Sequence, residues 1–327
     1  MLGSGSWGTA LAIHLARVGH DVRLWGRDAS LVAEMNARRA NAVYLPDVLF
    51  PARVQATSDL AEAAGGAALV VAAVPSHGTR AVVRAAAPHL AAGAVIVSAS
   101  KGLEQDTLFR VSEIIAQELR GAHEIAVLSG PSFAAELVRE LPTAVSVASR
   151  HAGTVERVQA DFRAPYFRLY GSDDVVGVEI GGALKNVIAI AAGVVEGLGL
   201  GHNALAGLIT RGLAEITRLA CAAGARRDTL AGLTGLGDLV LTCTGSLSRN
   251  RHVGSELARG RSLDEVLAGM KMVAEGVRTT EAALALGARH GVELPIAEQV
   301  AELLAGRKDA RAAVFDLMLR PQRAEAG

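Results

Sequence analysis

Cysteine is nearly absent: Cys221 and Cys243 are the only two in 327 residues, and no CxxC spacing occurs. A disulfide framework and a thiolate zinc site are excluded, and each thiol is expected to be a small buried hydrophobe. The nine histidines fall in no HExxH or comparable spacing, so no metal is expected. Net charge is absent too, since 33 Lys and Arg balance 33 Asp and Glu. No long-range field draws the chain to nucleic acid or to a membrane surface, and basic groups must be judged by position. Long apolar runs are also missing. The longest, residues 67–74 and 187–195, fall short of the roughly 20 residues a membrane span needs. Met1 leads directly into GSGSWG, without the basic segment and apolar stretch of a secretory signal. These absences predict a cytoplasmic protein with no nucleic-acid partner and no membrane span.

What is present is an ordinary globular balance, 50% hydrophobic and 20% charged, in a chain long enough for two domains. It opens on Gly3-Ser4-Gly5-Ser6-Trp7-Gly8, a GxGxxG followed by a stretch of helical periodicity. In such a motif Gly3 permits a tight turn, Gly5 the close approach of a pyrophosphate, and Gly8 the packing of helix on strand. The helix N-terminus then faces the phosphates. Residues 21–25 read as the next strand and end in Gly26-Arg27-Asp28. This lies about 20 residues past the glycines, where a ribose-reading residue belongs. Asp28 suits a 2′-hydroxyl and Arg27 a 2′-phosphate, so NAD and NADP both stand as cofactors. Only Met1 and Leu2 precede Gly3, although a dinucleotide fold needs a strand of about five residues there. The central strand is expected to be badly shortened, or the sequence as given to begin inside it.

Residues 67–74, 94–98, 124–128, 143–148 and 167–170 read as further strands, with helices between them, for example 107–119. Strands alternating with helices predict a doubly wound, Rossmann-like α/β sheet over residues 1–171. The segments Pro75-Ser76-His77, Ser100-Lys101-Gly102-Leu103-Glu104 and Ser129-Gly130-Pro131-Ser132-Phe133-Ala134 follow strands, where such sheets bind ligands. From residue 172 to 320 the pattern becomes all-helical. Residues 175–197, 204–224, 228–233, 251–258, 262–269, 279–290 and 296–305 read as helices, 235–244 as a loop, and 321–327 as a frayed polar tail.

Within the first of these helices, Lys185 stands among Ala, Ile, Val and Gly, with Asn186 beside it. Desolvation lowers the pKa of such a lysine, which a general base near neutral pH requires. The plainer reading is a lysine whose stem packs while its head reaches water.

GSGSWGTALA, SKGLE, SGPSFAAE, GALKNVIAI, GLGDLVLTC and SRNR occur in this order. The set resembles the bacterial glycerol-3-phosphate dehydrogenases that use NAD or NADP, over nearly the whole chain. The resemblance implies a dinucleotide domain followed by a helical substrate domain, usually assembled as a homodimer. It implies reversible hydride transfer between dihydroxyacetone phosphate and sn-glycerol 3-phosphate, which supplies the backbone of phospholipids. By the same resemblance Lys185 is the proton acceptor, Lys101 a second lysine at substrate and cofactor, and Asp238 the acid that holds the hydroxyls and the lysine. Gly130, Ser132, Ser248, Arg249 and Asn250 are then substrate contacts. Gly3, Gly5, Ser6, Trp7, Gly8, Arg27, Ala134, Arg249, Val273 and Glu275 are cofactor contacts.

Residue chemistry supports these roles independently. Carbonyl reduction builds negative charge on oxygen, and a nearby ammonium stabilises that charge and supplies the proton. Arg249 offers a bidentate fork to a phosphate; the plainer reading of SRNR is a solvated basic turn. Two other classes compete. A two-domain dehydrogenase of small hydroxy acids shares the KN-containing helix, but SRN and GLGDL favour the phosphate. A non-catalytic nucleotide-binding relative would have no use for Lys101, Lys185, Asp238 and Arg249 together.

Overall fold

The computed structural model describes residues 1–270, 272–322 and 324. Its sheet is assembled from short, buried runs rich in Val, Ile and Ala. In space the strands run Val54–Thr57, Val22–Trp25, Leu69–Ala72, Val95–Ser98, Ile125–Ser129, Thr143–Ala148 and Phe167–Ser172. Leu2 sits between the second and third, bridged in parallel to both Trp25 and Ala72. Its N–H donates to Val71 O at 2.8 Å and its carbonyl accepts from Ala73 N at 2.8 Å, while Trp25 N donates to Met1 O at 2.8 Å. The three residues before the helix thus do the joining that a full central strand would do. On either side of Leu2 the strand order proceeds in opposite directions, which opens a crevice at the carboxyl ends.

Several expectations need correction. Thr143–Ala148 pairs antiparallel with Ile125–Ser129. The connection between them holds only the one-turn helix Ala134–Leu137, whereas a parallel return needs a longer helical crossover. The helix expected over 107–119 is Val111–Glu118. It starts late because Leu108 adopts φ 62° and Arg110 opens a capping box with Glu113. The loop expected at 235–244 is a π-helical turn, Leu233–Gly237, running into the helix Asp238–Thr244. Cys243 is buried as expected, but Cys221 is exposed, near the outer end of the helix Gly201–Ala222. The strand Val54–Thr57, the hairpin Ala40–Asn41/Leu45–Leu49 and the helix Ala310–Met318 had no place in the sequence reading. Of the expected polar tail, residues 323 and 325–327 lie outside the described residues.

The helical part is built around Val175–Gly197, whose N-terminus is capped by the Asp174 carboxylate accepting from Gly177 N at 2.8 Å. Ile180, Ala183, Leu184, Val187 and Ile188 form its main apolar cluster with Ile216, Leu219, Leu239, Ala283 and Val300. This helix is long and apolar enough to cross a bilayer, yet 83% of its most apolar window is buried inside the protein. It is a core helix, and run length alone had understated it because Lys185 and Glu179 interrupt the apolar sequence. The helix Arg249–Ala258 crosses it at very close range. A Cβ on Gly254 would overlap the Ile190 carbonyl, and one on Gly193 the Arg251 carbonyl.

Candidate active site

The cofactor half begins at the turn before the helix Ser6–Arg17. Gly3 has φ 112°, and a Cβ on Gly8 would overlap the Gly3 carbonyl oxygen. Gly5 is the N-cap and offers no side-chain cap, and the space where its Cβ would project is open for 4 Å. Uncapped N–H groups facing an open space fit the pyrophosphate of a dinucleotide. Ser6 donates from Oγ to Met272 Sδ at 2.8 Å, and Trp7 packs half-buried against the sheet's core. Arg27 and Asp28 are exposed. Asp28 is partly committed, since its Oδ1 accepts from Ser30 N at 2.9 Å and Leu31 N at 3.1 Å as a helix cap. Ala134 opens the one-turn helix beside the crevice. Val273 is exposed. Glu275 reaches across from the helical part and accepts from Ser76 Oγ at 2.7 Å and Ser76 N at 3.3 Å.

The chemistry-bearing half is a buried charge cluster. Asp238 is fully buried and shared between two lysines. Its Oδ2 accepts from Lys101 Nζ at 2.6 Å and its Oδ1 from Lys185 Nζ. Lys101 also donates to the Gly130 carbonyl at 2.9 Å, which Ser132 Oγ shares at 2.9 Å. Lys185 is 7% exposed and donates as well to Thr242 Oγ1 at 2.7 Å. Thr242 in turn donates to the Asp238 carbonyl at 2.6 Å, so its remaining lone pair faces the amine. Two of the three ammonium protons of Lys185 are thereby held, and the third is left for a ligand. Burial pushes the Lys185 amine down to about 8, helped by the nearby Lys101 charge and opposed by Asp238. The Cys243 thiol beside the cluster is pushed up to about 12 by burial and is chemically quiet.

Ser248 is the N-cap of the helix Arg249–Ala258, its Oγ accepting from Arg251 N at 3.3 Å. That leaves its hydroxyl proton to donate elsewhere. Arg249 is open to solvent yet crowded by protein. Loss of water around its guanidinium lowers its pKa from the ordinary value, with Glu275 opposing the drop. Asn250 is buried and ties three helices, donating to Asn186 Oδ1 at 2.8 Å and accepting from Gly276 N at 3.0 Å. One of its amide protons remains.

Sequence reasoning missed Thr242 and the Asn186–Asn250 bond. The first had a signal, since Asp238 and Thr242 stand four apart and share one helix face. The second had none, because 64 residues separate the partners. Among the described residues, no group of three or more His, Cys, Asp or Glu is placed to hold a metal ion.

Comparison with known proteins gives a consistent picture. The family model for the NAD-dependent glycerol-3-phosphate dehydrogenase N-terminus matches residues 1–155, and that for its C-terminus matches 174–315. The glycerol-3-phosphate dehydrogenase [NAD(P)+] of Syntrophotalea carbinolica is 53% identical over 327 residues, covering 99% of this chain and 98% of the relative. That of Myxococcus xanthus is 54% identical, with the same coverage. The crystal structure of glycerol-3-phosphate dehydrogenase from Coxiella burnetii superposes with a TM-score of 0.94 at 42% identity, covering 98% of each chain.

Proposed function

The chain belongs to the NAD-dependent glycerol-3-phosphate dehydrogenase family, and on that premise we propose that it interconverts dihydroxyacetone phosphate and sn-glycerol 3-phosphate. Residues 1–171 hold the dinucleotide, NAD or NADP, and residues 172–320 the substrate. When bound, the reduced nicotinamide supplies the hydride. The observation that carries the residue assignment is the sharing of Asp238 by Lys101 and Lys185.

Each residue's part follows from its surroundings. In the reduction, Lys185 as an ammonium offers its third proton to the carbonyl oxygen as negative charge develops there. In the oxidation the neutral amine takes the hydroxyl proton. Asp238 holds both lysines in place, and Thr242 fixes the direction of Lys185. Lys101 keeps the cluster net positive, which suits a negatively charged substrate. Arg249, with the spare donors of Ser248 and Asn250 at the start of a helix, clamps the phosphate. Gly130 and Ser132 line the substrate beside Lys101. Gly3, Gly5 and Gly8 shape the turn for the pyrophosphate, while Ser6, Trp7, Ala134, Val273 and Glu275 flank the cofactor. Arg27 lies where a 2′-phosphate would be read. The enzyme works in the cytoplasm as a homodimer and supplies glycerol phosphate for phospholipid synthesis.

The test is consumption of NADH or NADPH, followed by absorbance, with dihydroxyacetone phosphate and with pyruvate. Turnover of the first ketone alone is the expected result. Equal turnover of both, or of neither by folded protein, overturns the reading.

A further inference from the structure

Lys101 must meet Asp238 across the boundary between sheet and helices, yet it stands beside a pivot. Gly102 has φ 149°, and a Cβ there would crowd Ser76 Oγ at 2.6 Å. A glycine in this conformation leaves the backbone next to Lys101 free to swing. The segment that follows is a tight loop. Glu104 N donates to Phe109 O at 3.0 Å, Leu108 N donates to Glu104 O at 2.9 Å, and Leu103 bridges Arg110. Thr107 Oγ1 donates to Glu104 Oε2 at 2.6 Å. Leu108 is held at φ 62°, a conformation a branched side chain adopts only when its surroundings impose it. Leu103 is buried in the core of the helical part, and Leu108 packs against that core. The loop is therefore one stiff piece, inserted from the sheet into the helices.

What fixes this piece to the sheet side is Arg80, on the helix Ser76–Ala86. Its Nε donates to Glu104 Oε1 at 2.8 Å and its Nη2 to Glu104 Oε2 at 2.6 Å. The same guanidinium also donates to Glu118 Oε1 at 2.5 Å and Gln117 Oε1 at 2.7 Å. The Arg80 and Glu104 side chains are only 23% and 16% exposed, and a two-pronged pair fixes direction as well as distance. The loop's other outward polar ties from its turn, Gln105 to Glu281 and Arg289 to the Thr107 carbonyl, are exposed and long at 3.2 and 3.4 Å. Such ties hold little.

We propose that Glu104, gripped by Arg80, is a positioning residue of the reaction: it locks the loop beyond Gly102 so that Lys101 stays on Asp238. The inference rests on Lys101 serving the activity proposed above. Its consequence for Lys185 is specific. The charged groups acting on the Lys185 amine are Asp238, which raises its pKa, and Lys101, which lowers it; the neighbouring Cys243 thiol is kept neutral. If Lys101 swings away, the lowering influence is lost and Asp238 turns wholly to Lys185. Both changes raise the pKa of Lys185.

The experiment compares wild type with Glu104→Gln, Arg80→Met and Arg84→Met. Arg84 pairs with Glu118 but not with the loop, so its variant reports what the surface network contributes to stability alone. Lys185 is titrated by NMR of protein carrying ε-¹³C lysine, with its signal assigned from Lys185→Met, and kcat/KM is measured for dihydroxyacetone phosphate. The expected result is an upward shift of the Lys185 titration in Glu104→Gln and Arg80→Met, none in Arg84→Met, and a roughly ten- to hundredfold fall in kcat/KM in the first two. An unmoved titration in folded Glu104→Gln and Arg80→Met, or an equal shift in Arg84→Met, overturns the proposal. A shifted titration in protein whose wild type does not turn over dihydroxyacetone phosphate upholds the positioning and removes the proposed substrate instead.

Discussion

The dinucleotide crevice and the lysine cluster each present positive character to a negatively charged group, and they do it with different materials. At Gly3–Gly8 the donors are backbone N–H groups at an uncapped helix start, exposed by the absence of side chains. At Lys185 the donor is a side-chain amine buried among apolar residues and pinned by Asp238 and Thr242. Backbone donors carry no proton that can leave, so they bind and orient. A buried amine whose pKa is pushed down to about 8 can bind and also exchange its proton near neutral pH. The two regions thus divide holding from chemistry.

The sharpest way to break that division is Lys185→Met. It keeps the stem and removes the proton carrier, and kcat should fall about 10²–10⁴-fold with cofactor affinity little changed. Asp238 keeps Lys101 as partner, and a buried charge is removed, so the melting temperature should hold or rise. The pH dependence of wild type sharpens the same point. Glycerol phosphate oxidation needs the neutral amine and should rise with pH through about 8; the reduction needs the ammonium and should decline above about 8. A variant keeping half its kcat would show that Lys185 merely packs the helix.

Arg249→Ala comes next. A charge-assisted bond contributes about 1.5–3 kcal/mol, so kcat/KM for dihydroxyacetone phosphate should fall at least about tenfold. The much weaker reaction of unphosphorylated dihydroxyacetone should barely change, and Arg249→Lys should recover only part of the loss. Equal losses for both ketones would place Arg249 with the cofactor or the loop instead.

The smallest effects belong to the glycine turn, where the contrast is between adding and removing side chain. Gly8→Ala forces a methyl against the Gly3 carbonyl and should cost about 1–3 kcal/mol, seen as weaker NADPH binding by fluorescence titration and a lower melting temperature. Ser6→Ala removes a single neutral hydroxyl and should cost about 1 kcal/mol or less. If Ser6→Ala were the more damaging of the two, side chains rather than backbone would hold the phosphates.

The strand runs and the main helices were legible because each carries its own periodicity. Val95–Ser98 is buried at every position and Val175–Gly197 is apolar nearly throughout, so local pattern and tertiary role agree. The failures lie where they diverge. Residues 107–110 have helix-compatible composition but are held as a loop by Arg80, by the helical core and by the Leu108 conformation. Residues 233–244 carry two glycines that read as a loop, yet tertiary packing winds them into a π-turn and a helix. Of the site, each motif could be read by itself, while the bond between Asn186 and Asn250 could not.

The sequence by itself determined the ligand class and the two-part architecture, because glycine spacing, strand–helix alternation and a lysine in an apolar helix are local properties. Only the tertiary structure decided that Asp238 serves Lys101 and Lys185 at once, that Asp28 spends part of its carboxylate on a helix cap, and that Lys185 titrates near 8. The physical reason is that a pKa and a shared hydrogen bond depend on what burial strips away and on which charges arrive from distant parts of the chain. Lys101 and Asp238 are 137 residues apart, and no local pattern records that they meet.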